Sequence, residues 1–282
     1  MQVAKILLFV VLGGLLGFVA SQYTGRDTTR ADQQENNVAG SQLQLSDLGI
    51  DSKSSLENLI SSGVSKFLEE KPEAVVAALE KFQENQAKIA EEDRVKLLRS
   101  LNDPLFSQPT DPSIGATASE ADISIVEFFD YRCGYCRRAH SSIVELIKTD
   151  SKIRVVMKEF PILGPDSVSA AMISLSANMI NPEKYADLHN RLIQHQGPYD
   201  EATLLALAAD VGYDPAGIQA AMINKALTAQ IENARQIAEA LNIRGTPAFI
   251  IGDKIIPGAV PLQQLRVAIE EARTRAEKRL VN

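Results

Sequence analysis

Ile123–His140 reads I-S-I-V-E-F-F-D-Y-R-C-G-Y-C-R-R-A-H and joins two hydrophobic patterns in one short stretch. The apolar run Ile123–Phe129 has the length and composition of a buried strand. Past Cys136 the apolar residues fall at Ala139, Ile143, Val144 and Ile147, the spacing of a helix face. Between the two patterns sits Cys133-Gly134-Tyr135-Cys136, which holds both cysteines of the 282-residue chain. So short a loop constrains an unfolded chain little, so the pair is read as reactive and not as a staple. A strand, a C-x-x-C and then a helix is the order expected of a dithiol redox site.

A thiol attacks a disulfide as its thiolate. Cys133 is predicted where a helix begins, so unpaired N–H groups and the positive end of the macrodipole favour its anion. Arg137 and Arg138 are expected to add to that field. These features make Cys133 the nucleophile and Cys136, one turn later, the thiol that resolves the mixed disulfide. The chemistry needs no bound cofactor beyond a reversible Cys133–Cys136 disulfide. Gly134 and Tyr135 influence the redox potential and are placed among the substrate contacts. Glu127 stands amid Val126, Phe128 and Phe129, and burial would raise its pKa. One reading makes it a catalytic proton carrier for Cys136, and the other a strand-edge glutamate facing water.

Competing uses of the cysteines can be weighed. Haem attachment requires C-x-x-C-H, and residue 137 is arginine. A metal site would have to recruit histidine, with Cys133, Cys136 and His140 converging on soft copper(I) in a non-enzymatic protein. His140, His189 and His195 taken singly read as surface or packing residues, so no metal ligand is assigned. The net charge of −7 leaves no basic footprint for nucleic acid.

Taken in order, residues 1–23 carry an apolar run, Ile6–Ala20, behind Lys5. It suits a cleaved export signal, or an uncleaved anchor slightly short of the ~20 residues usual for a span. Both readings export the rest, which in a bacterium means the periplasm. Residues 24–54 are polar and read as a flexible linker. Residues 55–103 form a helical arm. Leu56, Leu59, Ile60, Val64, Phe67 and Leu68 share one face, with Ser54 or Ser55 as a cap. Lys71-Pro72-Glu73 suits a restart, and a second helix runs through Val75, Leu79, Phe82 and Ile89 towards Leu101, stopped by Asn102-Asp103-Pro104. The stripe needs a partner, either the domain that follows or further copies of the chain. Residues 107–122 read as a loop, 153–160 as a second strand, and 166–237 as a helical insertion too long for a simple crossover. Ala248–Ile251 and Lys254–Ile256 form a hairpin around Gly252-Asp253, and Pro261 opens a last helix. Proline at a strand mouth, as in Thr246-Pro247, needs a special role, and a cis peptide would supply one.

With V-E-F-F-D-Y-x-C-G-Y-C, a helical insertion and G-T-P-A-F before a hairpin, the chain from about Pro104 onward resembles the bacterial DsbA-like thiol–disulfide oxidoreductases. The arm, with K-P-E-A-V-V-A-A-L-E-K-F-Q, is similar to the N-terminal region of the ScsC-type branch, some members of which trimerise and act as disulfide isomerases. The resemblance implies an α/β, thioredoxin-like fold at 104–282 with a helical insertion, preceded by the arm. It implies a cis Pro247 beside Cys133, Thr246 and Pro247 lining a groove for substrate peptide, and Glu127 as a buried acid. The expected partners are exported proteins with thiols or disulfides, a membrane redox partner and further copies of the same chain. The reading adopted is a periplasmic, oligomeric disulfide isomerase, with a dithiol oxidase that introduces disulfides as the alternative.

Overall fold

The computed structural model describes residues 53–281. The expected leader at 1–23, and the expected linker apart from its last two residues, lie outside them. The described residues divide between Ala74 and Val75 into two compact units. The first holds helix α1 (Lys53–Glu70). It begins earlier than the apolar spacing indicates, so Ser54 and Ser55 lie inside its first turn and neither precedes it as a cap. Leu59, Ile60, Val64, Phe67 and Leu68 are all exposed along it. Helix α2 (Glu73–Ser100) starts just after Pro72, as a proline that cannot continue a helix requires.

The second unit begins in α2. Val75, Val76, Leu79, Phe82 and Ile89 are exposed, whereas Leu98 near its end is buried. Helix α3 (Asn102–Phe106) follows after a single residue, so Asn102-Asp103-Pro104 does not stop the helical path. Pro104 is tolerated because it lies in a first turn, where backbone N–H groups have no intrahelical acceptor.

A five-stranded sheet organises this unit, in the order β1-β3-β2-β4-β5. β2 (Ile123–Phe129) lies in the middle, parallel to β3 (Ile153–Glu159) and antiparallel to β4 (Ala248–Ile251). Burial on both faces explains its near-continuous apolar run. β5 (Lys254–Pro257) pairs with β4 through a turn whose Gly252 has φ +61°, a conformation glycine adopts freely. β1 (Ser113–Gly115) is a strand inside the stretch read as a loop. Its three residues carry no periodic signal, and only pairing with Val156–Arg154 defines it. Gly115 is needed there, since a Cβ would lie 2.4 Å from the Ile153 carbonyl oxygen.

Helix α4 (Gly134–Thr149) crosses from β2 to β3 and buries Cys136, Ala139, His140, Ile143 and Leu146. Val144, expected on the apolar face, is exposed instead. The insertion comprises α5 (Pro165–Ile180), a 3₁₀ turn at Pro182–Lys184, α6 (Tyr185–Gln194), α7 (Glu201–Asp210), α8 (Pro215–Met222) and α9 (Lys225–Ala240). Asp200 and Asp214 cap α7 and α8, accepting from Thr203 and Gly217 N–H at 3.0 Å each. Helix α10 (Leu262–Val281) closes the chain. No helix among the described residues is long and apolar enough to cross a membrane.

Strand alternation splits the core in two. Ile125, Phe129, Val155 and Met157 pack with α4, α5 and α10. Val126, Phe128, Val156 and Ile250 pack with Leu98 of α2, Leu105 of α3 and Ile237 of α9. The end of the arm and the end of the insertion therefore share one sheet face, while the C-x-x-C helix lies on the other.

Candidate dithiol site

Cys133 precedes the first residue of α4 in an extended conformation, φ −76° and ψ 114°, the geometry of an N-cap. Asp130 anchors the bend that delivers it. Its carboxylate accepts from the backbone N–H of Arg132 at 2.8 Å, Ile162 at 2.9 Å and Leu163 at 3.0 Å. Its carbonyl accepts from Cys133 N–H at 3.0 Å. The Cys133 thiol reaches the Thr246 carbonyl at 3.3 Å, and Thr246-Pro247 is cis. Residues 113 positions apart thus meet at one sulfur.

Both thiols are free and buried, and their environments push them apart. A hydrogen bond from Cys136 lowers Cys133 to about 5; burial opposes it, and the Thr246 side chain and the N–H groups of Cys136 and Tyr135 add to it. Cys136 is pushed well above the ordinary thiol range, first by burial, then by its hydrogen bond to Cys133, then by the Glu127 charge. At neutral pH, Cys133 is a thiolate and Cys136 a thiol that donates to it.

Glu127 lies on the central strand, 3 % exposed, on the α4 face of the sheet. The edge-glutamate reading is therefore set aside. Burial, with the Cys133 charge as a lesser cause, raises it to about 8. Arg137 and Arg138 do not serve the thiolate as expected. Arg137 donates to the Ile193 and His195 carbonyls at 3.1 and 2.7 Å, and Arg138 stacks over the Tyr135 ring at 4.1 Å. The polarisation comes instead from short-range donors at the helix start. Tyr135 is 60 % exposed, and Ile162 and Leu163 are exposed as well, giving the site an apolar rim. Gly134 is exposed too, and an added Cβ would meet nothing there.

His140 and His189 are buried packing residues. His140 Nε2 pairs with Asn190 Oδ1 at 2.6 Å, and His189 Nδ1 with the Tyr131 hydroxyl at 3.0 Å. Burial lowers both, His189 to about 3, so both rings are neutral. Among the described residues, no three His, Cys, Asp or Glu side chains are grouped to hold a metal, so Cys133, Cys136 and His140 do not converge on one.

Sequence reading passed over Asp130, and also Glu159. Glu159 is buried beside Tyr131, Ser174 and Tyr185, and burial holds its carboxyl well above the usual range. A glutamate within a buried apolar run was the available signal, as it is for Glu127.

A model of the DsbA-like thioredoxin domain matches residues 124–270. The Na(+)/H(+) antiporter NhaA 1 of Salinispora arenicola is 23% identical over 54% of this chain, and the chain spans about a quarter (24%) of that antiporter's length. A thioredoxin-like oxidoreductase from Silicibacter pomeroyi is 38% identical, with 61% of this chain and 97% of that one covered, at a TM-score of 0.58. Proteus mirabilis ScsC in a transitional conformation is 26% identical, with 79% and 100% covered, also at 0.58.

Proposed function

We propose that this chain, which belongs to the DsbA-like thioredoxin family of thiol–disulfide oxidoreductases, is a periplasmic protein-disulfide isomerase that works as a homo-oligomer, in the form of a trimer. Cys133 is its nucleophile, Cys136 its resolving thiol and Glu127 its buried proton carrier. The observation that carries the dithiol assignment is Cys133 at the N-cap of α4, in contact with the Thr246 carbonyl, with Cys136 buried one turn on. The opposite shifts of the two sulfurs accord with it.

In isomerisation the Cys133 thiolate attacks a wrong client disulfide, forming one S–S bond as the client's bond breaks. The freed client thiolate attacks elsewhere in the client, and Cys133 leaves again as a thiolate, so no net oxidation occurs. When the complex stalls, Cys136 attacks Cys133, and the Cys133–Cys136 disulfide forms as the Cys133–client bond breaks. The client leaves as a thiolate, and the Cys136 proton must go to a base. The ionised form of Glu127, whose share grows as pH approaches 8, can accept that proton and return it when Cys136 is reduced. A membrane redox partner then restores the dithiol. Thr246, Pro247, Gly134, Tyr135 and the rim at Ile162 and Leu163 would meet the exported client.

What supports an assembly is the run of exposed apolar side chains on α1 and, separately, on α2. A second reading, a dithiol oxidase, draws on the depressed Cys133, since a stabilised thiolate makes the disulfide form more oxidising. Full-length protein carrying Leu79→Glu and Phe82→Glu separates the two. Isomerase function predicts loss of assembly mass and of most scrambled-substrate refolding, with insulin reduction kept. Unchanged mass and refolding would overturn the oligomeric isomerase, and rapid oxidation of a reduced client by either protein would favour the oxidase.

A further inference from the structure

A groove of about 760 Å³ runs between the later turns of α2 and the segment joining α9 to β4. Arg94 and Leu97 line it from α2; Leu241, Ile243, Arg244 and Pro247 line it from the opposite side. Thr246, whose carbonyl meets the Cys133 thiol, also lines the groove, so one end of it borders the residue in contact with the dithiol. A client held at Cys133 has neighbouring residues that must lie somewhere, and this trough starts where they would leave the sulfur.

Its floor is apolar, and its charge is mainly positive. Asp93 also lines the groove, but its carboxylate is paired with Lys96 at 3.1 Å. Arg94 pairs with Glu91 on its own helix, while its Nε is buried without a hydrogen-bond partner. Arg244 is held by Asn242, whose Oδ1 accepts from its Nε at 2.9 Å. Asn242 has φ +55° and is the one non-glycine residue with positive φ among those described. Its N–H and that of Ile243 bond back to Glu239 and Ala238, so the end of α9 fixes this conformation. Such backbone strain gains meaning from what the side chain does, and here it aims a guanidinium at the groove.

The geometry points to α2 as a specificity element: the groove takes the extended client segment next to the reacting cysteine, selecting apolar residues accompanied by a carboxylate. The inference rests on the thiol–disulfide exchange proposed above and deepens it. It gives the last turns of the arm a role in every single chain, apart from any assembly.

The test uses full-length reduced protein and two peptide disulfide homodimers, identical except that the residues flanking cysteine are Leu and Glu in one and Leu and Lys in the other. Hydroxyethyl disulfide is the control. In each reaction the disulfide is reduced to two thiols as Cys133 and Cys136 become a disulfide, so electrons balance. The acidic peptide should react about fivefold faster, the size of one exposed ion pair. Arg94→Glu with Arg244→Glu should reverse that ranking, and Asn242→Gly, which keeps the backbone conformation, should shrink it. Equal rates for both peptides, or a ranking unmoved by the charge reversal, would overturn the inference. Failure to reduce hydroxyethyl disulfide would instead overturn the exchange reading itself.

Discussion

On the sheet face that carries Lys158, a buried cation meets a buried anion, whereas on the face that carries Glu127 and Glu159 the buried carboxyls have no ion-pair partner among the described residues. Lys158 forms an ion pair with Asp111, both side chains 3 % exposed, and also donates to the Pro104 carbonyl at 2.6 Å. Gln230 completes the cluster by donating to Asp111 at 2.9 Å. Glu127 and Glu159 lie on the α4 side, and among the described residues neither has a salt bridge. The paired face gains a fixed charge pattern that ties α3 and the loop before β1 to the sheet. The unpaired face keeps carboxyls that burial raises, Glu127 to about 8 beside the dithiol and Glu159 well above the usual range. Structure and chemistry have been assigned to opposite sides of one sheet.

Asp111→Ala breaks the paired face and should have the largest effect. It leaves the Lys158 ammonium buried without its anion, a loss of about 3–5 kcal/mol in denaturant unfolding. A loss below about 1 kcal/mol would mean that the pair matters no more than a surface bridge. Dithiol exchange by the protein that remains folded should not change.

Glu127→Gln relieves the other face. A carboxyl raised from 4.5 to about 8 in the folded protein favours folding while protonated, and that contribution disappears as pH rises through 8. The ceiling is about 5 kcal/mol, and relaxation around the site reduces the expected gain to about 2 kcal/mol. The variant should therefore be more stable than the parent at pH 9 and no different at pH 4. Its rate profile should also lose an inflection near pH 8. Equal thermal stability at pH 9, with an intact inflection, would remove Glu127 from the proton path.

The smallest expected effect is a null one. Alkylation of Cys133 should follow a titration with a midpoint near 5, with Cys136 unreactive at neutral pH. Because Glu127 is still protonated at pH 5, Glu127→Gln should leave that midpoint where it is. A Cys133 midpoint near 8 would show that the helix start and Cys136 do not hold the thiolate.

Elements with a strong local signature were legible in the sequence. The run Ile123–Phe129, the junction Cys133–Cys136 and the hairpin around Gly252-Asp253 each declare themselves within a few residues. What escaped depends on distant partners. β1 exists because Ser113–Gly115 meets β3, and Lys158 is bearable inside because Asp111 arrives from 47 positions away. The arginines mislead for a related reason: adjacency to Cys136 suggested a field, but carbonyls of α6 and its following loop claim Arg137. Leu98 reads as one more member of an amphipathic stripe, and only packing separates it from the exposed Val75 and Leu79.

Asp130 has a mechanical consequence. One carboxylate holds the N–H of Arg132, just before the nucleophile, together with those of Ile162 and Leu163, on the rim across from it. Neither loop can lift without stranding a buried anion, so the two open together or not at all. Displacement of the Ile162–Leu163 rim is therefore coupled, through one carboxylate, to the segment that sets Cys133 at the start of its helix.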